Sequence, residues 1–196
     1  VQEIEEAQDY LNKAMLAKLL VIQNMPACRA YRAGLPICEG YEPWSEAEWA
    51  AFISTLAAHP NLVAWYLPDE IRDLEVAANL ARWVRQYDPQ RRPVYAQPGA
   101  FDQATIDRFP AFTDFLWAVS YPELFGEPRA LTTHMMKMDA QACRGTNTRW
   151  GAILQFFDSA QYPSFGRVGH PTPRQLRSDS YQAIIGGAKG LWYFNY

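Results

Sequence analysis

Apolar positions along this chain recur in two periods that take turns. Residues 1–17 carry Ile4, Ala7, Tyr10, Leu11, Met15 and Leu16 at helical spacing, which predicts an amphipathic helix. Leu19 to Met25, L-L-V-I-Q-N-M, is a short continuous apolar run and predicts a strand. A loop bearing Pro and Gly follows, and S-E-A-E then opens a second helix. Ser45 is its N-cap and Glu48, three residues on, completes a capping box, in which each residue satisfies an orphan backbone donor of the other. The helix stops near His59-Pro60. N-L-V-A-W-Y-L-P-D-E (Asn61 to Glu70) comes next, a strand that runs straight into two carboxylates.

Leu74, Ala77, Leu80, Ala81 and Val84 then predict a strong helix. Arg92 to Gln97 reads as a strand, D-Q-A-T-I-D-R-F as a short helix, and Phe115 to Tyr121 as a strand. A helix of weaker pattern covers Arg129 to Cys143, and Trp150 to Asp158 is a strand. Thr172 caps the last helix, with Pro173 at its first position and Gln175 closing a second capping box. That helix breaks at Gly186-Gly187, and G-L-W-Y-F-N-Y forms a final strand.

Six near-continuous apolar strands separated by helices imply an α/β fold with a parallel sheet covered on both faces. A doubly wound sheet fits this alternation as well as a barrel does. Two details favour the barrel. No Gly-rich phosphate loop follows any strand. Polar or aromatic groups end every strand: Gln23-Asn24, Asp69-Glu70, Gln97, Tyr121 to Glu123, Gln155 to Asp158, and Asn195. In a (β/α)₈ TIM barrel the chemistry converges on that rim, whereas a doubly wound sheet needs it only at the switch point. Six strands do not close an eight-stranded barrel of about 250 residues. The expectation is a single domain over residues 1–196, a partial barrel of about strands 3 to 8. Two βα units at the front and a helix at the back, the remainder of its own barrel, would then lie in a longer chain.

Composition narrows the partners. The 196 residues are 49% hydrophobic and 14% aromatic, enough for one core; the rings are either that core or a binding surface. A net charge of −3 without a basic run argues against nucleic acid and anionic membranes. No run approaches the ~20 apolar residues of a membrane span. The opening V-Q-E-I-E-E is helical and lacks an initiator Met, which suits a mature or truncated chain. Cys28 and Cys38 share one short segment and would staple it in an oxidising compartment, or else stay buried thiols; Cys143 would be left free. A secreted or periplasmic location is expected on that basis. No His stands near the two cysteines, and none shares a strand end with a carboxylate on this reading, so no metal site and no cofactor are expected. No G-x-S-x-G elbow occurs.

H-P-N-L-V-A-W-Y-L-P-D-E, followed about twenty residues later by Y-D-P-Q-R-R-P-V, resembles bacterial glycoside-hydrolase-like (β/α)₈ proteins. These are relatives of the barrel superfamily that includes β-galactosidases and endoglucanases. The tail P-T-P-R-Q-L-R-S-D-S-Y-Q-A-I-I-G-G-A-K-G-L-W-Y-F resembles their last helix and strand. If G-L-W-Y-F-N-Y is strand eight, counting back makes the Asp69-Glu70 strand number four. The resemblance then implies that Glu70 is the acid/base, with Asp69 where that superfamily usually has Asn. It also implies a nucleophilic Glu ending strand seven; here Q-F-F-D offers Gln155 and Asp158 instead.

Glycoside hydrolysis needs a protonated acid at the leaving oxygen and a second carboxylate as nucleophile or base. Glu70 suits the acid, since burial beside Trp65, Tyr66 and Pro68 and the charge of Asp69 should both raise its pKa. The alternative is a first-turn acid facing a helix macrodipole. Asp69 would orient a neighbour or cap that helix. Asp158 is the second carboxylate by position, with Glu123 after it. An Asp, one methylene shorter than Glu, leans towards the wider spacing of an inverting enzyme. Tyr66, Tyr121, Phe157 and Tyr193 are candidate sugar platforms, and Gln97 and Gln155 candidate hydrogen-bonding groups for an oligo- or polysaccharide. A barrel that binds glycan without cleaving it is the second reading, because the strand-seven Glu is missing.

Overall fold

Helix and strand alternate where the period of the apolar positions does. The structure, a computed structural model, describes residues 2–26, 44–99, 102–121, 129–158, 160 and 169–194. The chain divides into two compact units, Val1–Ala96 and Gln97–Tyr196. The first contains α1 (Gln2–Leu16), β1 (Val21–Asn24), α2 (Glu46–Ala57), β2 (Leu62–Tyr66), α3 (Leu74–Tyr87) and β3 (Val94–Ala96). Its strands are parallel, β1 on β2 and β2 on β3, and the register sets Asn24, Tyr66 and Tyr95 in one row.

Ser45 accepts from Glu48 N and the Glu48 carboxylate accepts from Ser45 N, so the first capping box forms as read. Asp73 caps α3 through Glu75 N and Val76 N, and Ala77, Leu80, Ala81 and Val84 bury its apolar face. Trp49, Phe52 and Trp65 are at most 3% exposed, with the Trp49 and Phe52 rings edge-on at 5.7 Å. In this unit, then, the aromatic excess is core.

In the Y-D-P-Q-R-R-P segment, buried Asp88 and Arg92 form a clasp between α3 and β3. Asp88 accepts from Trp65 Nε1, Gln90 N, Arg92 N and Arg92 Nη1 at 2.9–3.1 Å. Arg92 donates onward from Nε to Leu62 O at 2.7 Å and from Nη2 to His59 O at 3.2 Å. Desolvation would raise the Asp88 pKa, but the hydrogen bonds and the Arg92 charge outweigh it and hold the carboxyl below its ordinary value.

Two expectations shift. Of the α1 stripe only Leu11, with Ala14, is fully buried, while Tyr10, Met15 and Leu16 are exposed. β1 begins at Val21 because the chain first turns through Lys18 in the left-handed region (φ 59°). There Lys18 N bonds Met15 O and Leu19 N bonds Ala14 O, closing the helix end and leaving Leu19 and Leu20 exposed.

The second unit contains α4 (Gln103–Ile106), a 3₁₀ turn (Phe109–Ala111), β4 (Phe115–Ser120), α5 (Arg129–Ala142), β5 (Arg149–Gln155), α6 (Pro173–Ile185) and β6 (Leu191–Phe194). β4 pairs with β5 and β5 with β6, all parallel. Thr172 and Gln175 form the second capping box. Gly187, at φ 95°, ends α6, with Gly187 N on Ile184 O and Ala188 N on Ala183 O.

Trp117 lies over Gly151, its partner in the register. A Cβ on Gly151 would meet the Trp117 ring at 2.6 Å and Gly190 O at 2.7 Å. Trp117 also packs edge-on against Trp192 at 5.7 Å. This face of the strands therefore holds Trp117, Trp192 and Phe194, while Trp150 and Tyr193 lie on the face covered by α6.

Candidate functional site

β2 delivers Tyr66 to its last position, buried, and the ladder continues one step as Leu67 N bonds Tyr95 O. The chain then turns through Pro68, Asp69 and Glu70. The Tyr66 hydroxyl donates to Asp69 Oδ1 at 2.8 Å. The cap of α3 belongs to Asp73 rather than to Asp69.

Glu70 sits in the left-handed region at φ 52°. That is uncommon for a residue other than Gly, Asn or Asp, and it costs roughly 1–3 kcal/mol unless the surroundings enforce it. Glu70 is exposed at its surface. Even so, the protein around its carboxyl is dense enough that desolvation, then the Asp69 charge, hold its pKa above the ordinary value, with Arg72 opposing. A carboxyl that keeps its proton longer than its neighbours can donate it.

In the second unit the C-terminal ends of β4, β5 and β6 carry an aromatic triad. Tyr121 meets Phe157 edge-on at 5.2 Å and stacks on Phe194 at 6.0 Å, and Phe157 meets Phe194 edge-on at 6.0 Å. Gln155 is buried and donates from Nε2 to Phe157 O at 3.3 Å.

Asp158 follows. Its Oδ1 accepts from Ala160 N and Gly169 N, each at 2.8 Å, and its Oδ2 lies 3.9 Å from His170 Nε2. The two backbone donors, against a small desolvation and with help from His170, hold its pKa below the ordinary value. A histidine does therefore share a strand end with a carboxylate, contrary to the sequence reading. Its partner lies twelve positions away in the chain, and no local pattern signals that contact.

Tyr193 stands on the α6 face, its hydroxyl 3.1 Å from Ser180 Oγ and its ring edge-on to Phe156. Phe194, which the sequence reading did not name, occupies the face with Tyr121. Gln97 is buried directly after β3. Glu123, Cys28 and Cys38 lie outside the described residues. Cys143 is a buried free thiol. Among the described residues no group of three His, Cys, Asp or Glu could hold a metal ion, and no helix is long and apolar enough to cross a membrane.

Neither a family model nor a curated protein matches the sequence. Solved structures match the fold. The β-glucuronidase of Ruminococcus gnavus in complex with uronic isofagomine superposes with a TM-score of 0.61 at 16% identity, over 97% of this chain and 36% of that one. The same enzyme with uronic deoxynojirimycin gives 0.53 at 15%, over 96% and 35%. A radical S-adenosylmethionine methyltransferase of Kitasatospora setae, with cobalamin and an iron–sulfur cluster bound, gives 0.48 at 18%, over 90% and 36%, a likeness too low to argue from. This chain spans about a third of the length of these proteins. At such identity the likeness shows the fold alone: α/β with parallel strands, consistent with part of a TIM-like barrel.

Proposed function

We propose that this chain is the catalytic part of a glycoside hydrolase, with Glu70 as the general acid. The carboxylate of Asp158 drives removal of a proton from the attacking water. The observation that carries the reading is the state of Glu70: a left-handed backbone just past β2, and a carboxyl whose pKa is raised by desolvation and by Asp69. Asp158 is shifted the opposite way. A raised pKa suits an acid and a lowered one a base. The fold likeness to a β-glucuronidase supports the reaction class without fixing the sugar. Tyr121 and Phe194 would offer ring faces to a pyranose, with the buried Phe157 and Gln155 as their floor. The partner is accordingly an oligo- or polysaccharide, and we place the protein outside the cytoplasm, secreted or periplasmic.

Glu70→Gln tests this in the full-length protein. It removes the donated proton and almost no volume, so turnover of a cleaved glycan should fall by about 10²–10⁴, with binding by calorimetry nearly unchanged. Full activity of Glu70→Gln on every glycan that the native protein cleaves would remove Glu70 from the mechanism.

A second reading is favoured by Gln155. The end of β5, where the resemblance implies a nucleophilic Glu, has a buried amide committed to Phe157 O. A barrel that binds glycan without cleaving it would show affinity on a broad panel and no turnover.

A further inference from the structure

Two described points beyond β5, Ala160 and Gly169, meet at one carboxylate. Asp158 Oδ1 receives two backbone N–H groups, from Ala160 and Gly169, and so pins together chain points eleven residues apart. Asp158 is itself fixed from behind: Gln155 Nε2 donates to Phe157 O, Phe156 N donates to Phe194 O, and the Phe157 ring is fully buried against Tyr121 and Phe194. With Oδ1 occupied, the remaining oxygen faces His170 Nε2 at 3.9 Å, and 65% of the His170 side chain is open to solvent. An anionic carboxylate thus stands behind an accessible imidazole.

We propose that His170 is the proton acceptor in the reaction proposed above, and that Asp158 is its positioning residue. This rests on the glycosidase reading. Asp158 holds the ring with Nε2–H towards its own Oδ2, which leaves Nδ1 as the basic nitrogen. The 3.9 Å gap is about 1 Å longer than a hydrogen bond, and such contacts commonly tighten once substrate is bound. In the step, Nδ1 takes a proton from water as the water oxygen bonds to the anomeric carbon. The glycosidic C–O bond breaks, and its electron pair stays on the leaving oxygen, which takes the proton of the general acid. The imidazolium so formed lies against the Asp158 carboxylate until it returns its proton to solvent and the acid regains one.

The test uses kcat and KM of the full-length protein on a glycan it cleaves, for His170→Ala, Asp158→Asn and the double variant. Asn retains an Oδ1 that accepts both backbone N–H groups, so those two contacts persist, but it presents an amide to His170 and favours the wrong tautomer. Each single variant should lose about 100-fold in kcat with KM nearly unchanged, and the double variant should be no worse than His170→Ala. If His170→Ala keeps about half of native kcat or more, or if the two losses add in full, the dyad is overturned and Asp158 acts by itself. If the native protein cleaves no glycan of a broad panel, the glycosidase reading falls first and the proton-transfer role falls with it. The pairing is then decided by the His170 ring cross-peaks in a ¹H–¹³C spectrum. Movement on Asp158→Asn supports Asp158 as the positioning residue, and unmoved peaks overturn that too.

Discussion

Two buried aspartates show how partners decide what a carboxyl does to stability. Asp88 is buried among four donors and held ionised, whereas Asp139, 2% exposed on α5, has an Oδ1 with no hydrogen-bond partner. Desolvation pushes the Asp139 pKa up to about 7 from the ordinary 3.8, and burial with the Asp139 charge pushes the nearby Cys143 thiol up to about 12. An acid whose folded pKa is raised is penalised once the unfolded chain can ionise. Its stability contribution is therefore complete below about pH 4 and is lost as pH rises to about 7, with no further change above. Asp139→Asn should remove that slope and make the protein more stable than native at pH 8, read from urea midpoints across the pH range. Equal slopes in both proteins would show that Asp139 is not the group responsible. Asp88→Ala acts the other way. It strands the Arg92 guanidinium in the core, which costs about 3–5 kcal/mol, and it should lower the urea midpoint accordingly.

At the scale of elements, what could be read from the sequence was what is decided locally. Ser45 with Glu48, and Thr172 with Gln175, close within one helical turn, so spacing alone locates both helix starts. The Gly186-Gly187 break is equally local, since Gly187 takes the left-handed position that ends α6. Where a partner element decides, the sequence is silent. The apolar stripe of α1 predicted burial for Tyr10 and Met15, yet Leu11 and Ala14 are the buried line and Tyr10 and Met15 are exposed. Tyr193 and Phe194 are adjacent aromatics on opposite faces of β6, and only the register with Leu154 and Gln155 tells which one joins Tyr121. Gly151 is a further case: its need comes from Trp117, thirty-four positions away. Gly151→Ala forces that ring or the Gly190 carbonyl to move and should cost about 1–3 kcal/mol. A thermal midpoint unchanged from native would mean that Trp117 repacks freely.

For the molecule as a whole, the reaction outcome separates the mechanisms that the strand ends permit. The proposed carboxylates stand out in the sequence because each follows an apolar strand within four residues, whereas the Asp158–His170 contact forms only on folding. That contact bears directly on stereochemistry. A retaining glycosidase needs a carboxylate free to bond the anomeric carbon, with carboxyls about 5–5.5 Å apart, while about 6.5–9.5 Å leaves room for water. Asp158 is poorly placed for direct attack: its side chain is short, Oδ1 is filled by two backbone donors, and Oδ2 faces His170. A base acting through an imidazole activates water and forms no glycosyl ester. We therefore expect inversion, with the first-formed sugar carrying the anomeric configuration opposite to that of the bond cleaved. Proton NMR of the anomeric signals in the first minutes of reaction, before mutarotation, reads this directly. Retention, or trapping of a covalent sugar on Asp158 by a slow fluorinated substrate, would show that Asp158 itself attacks the sugar.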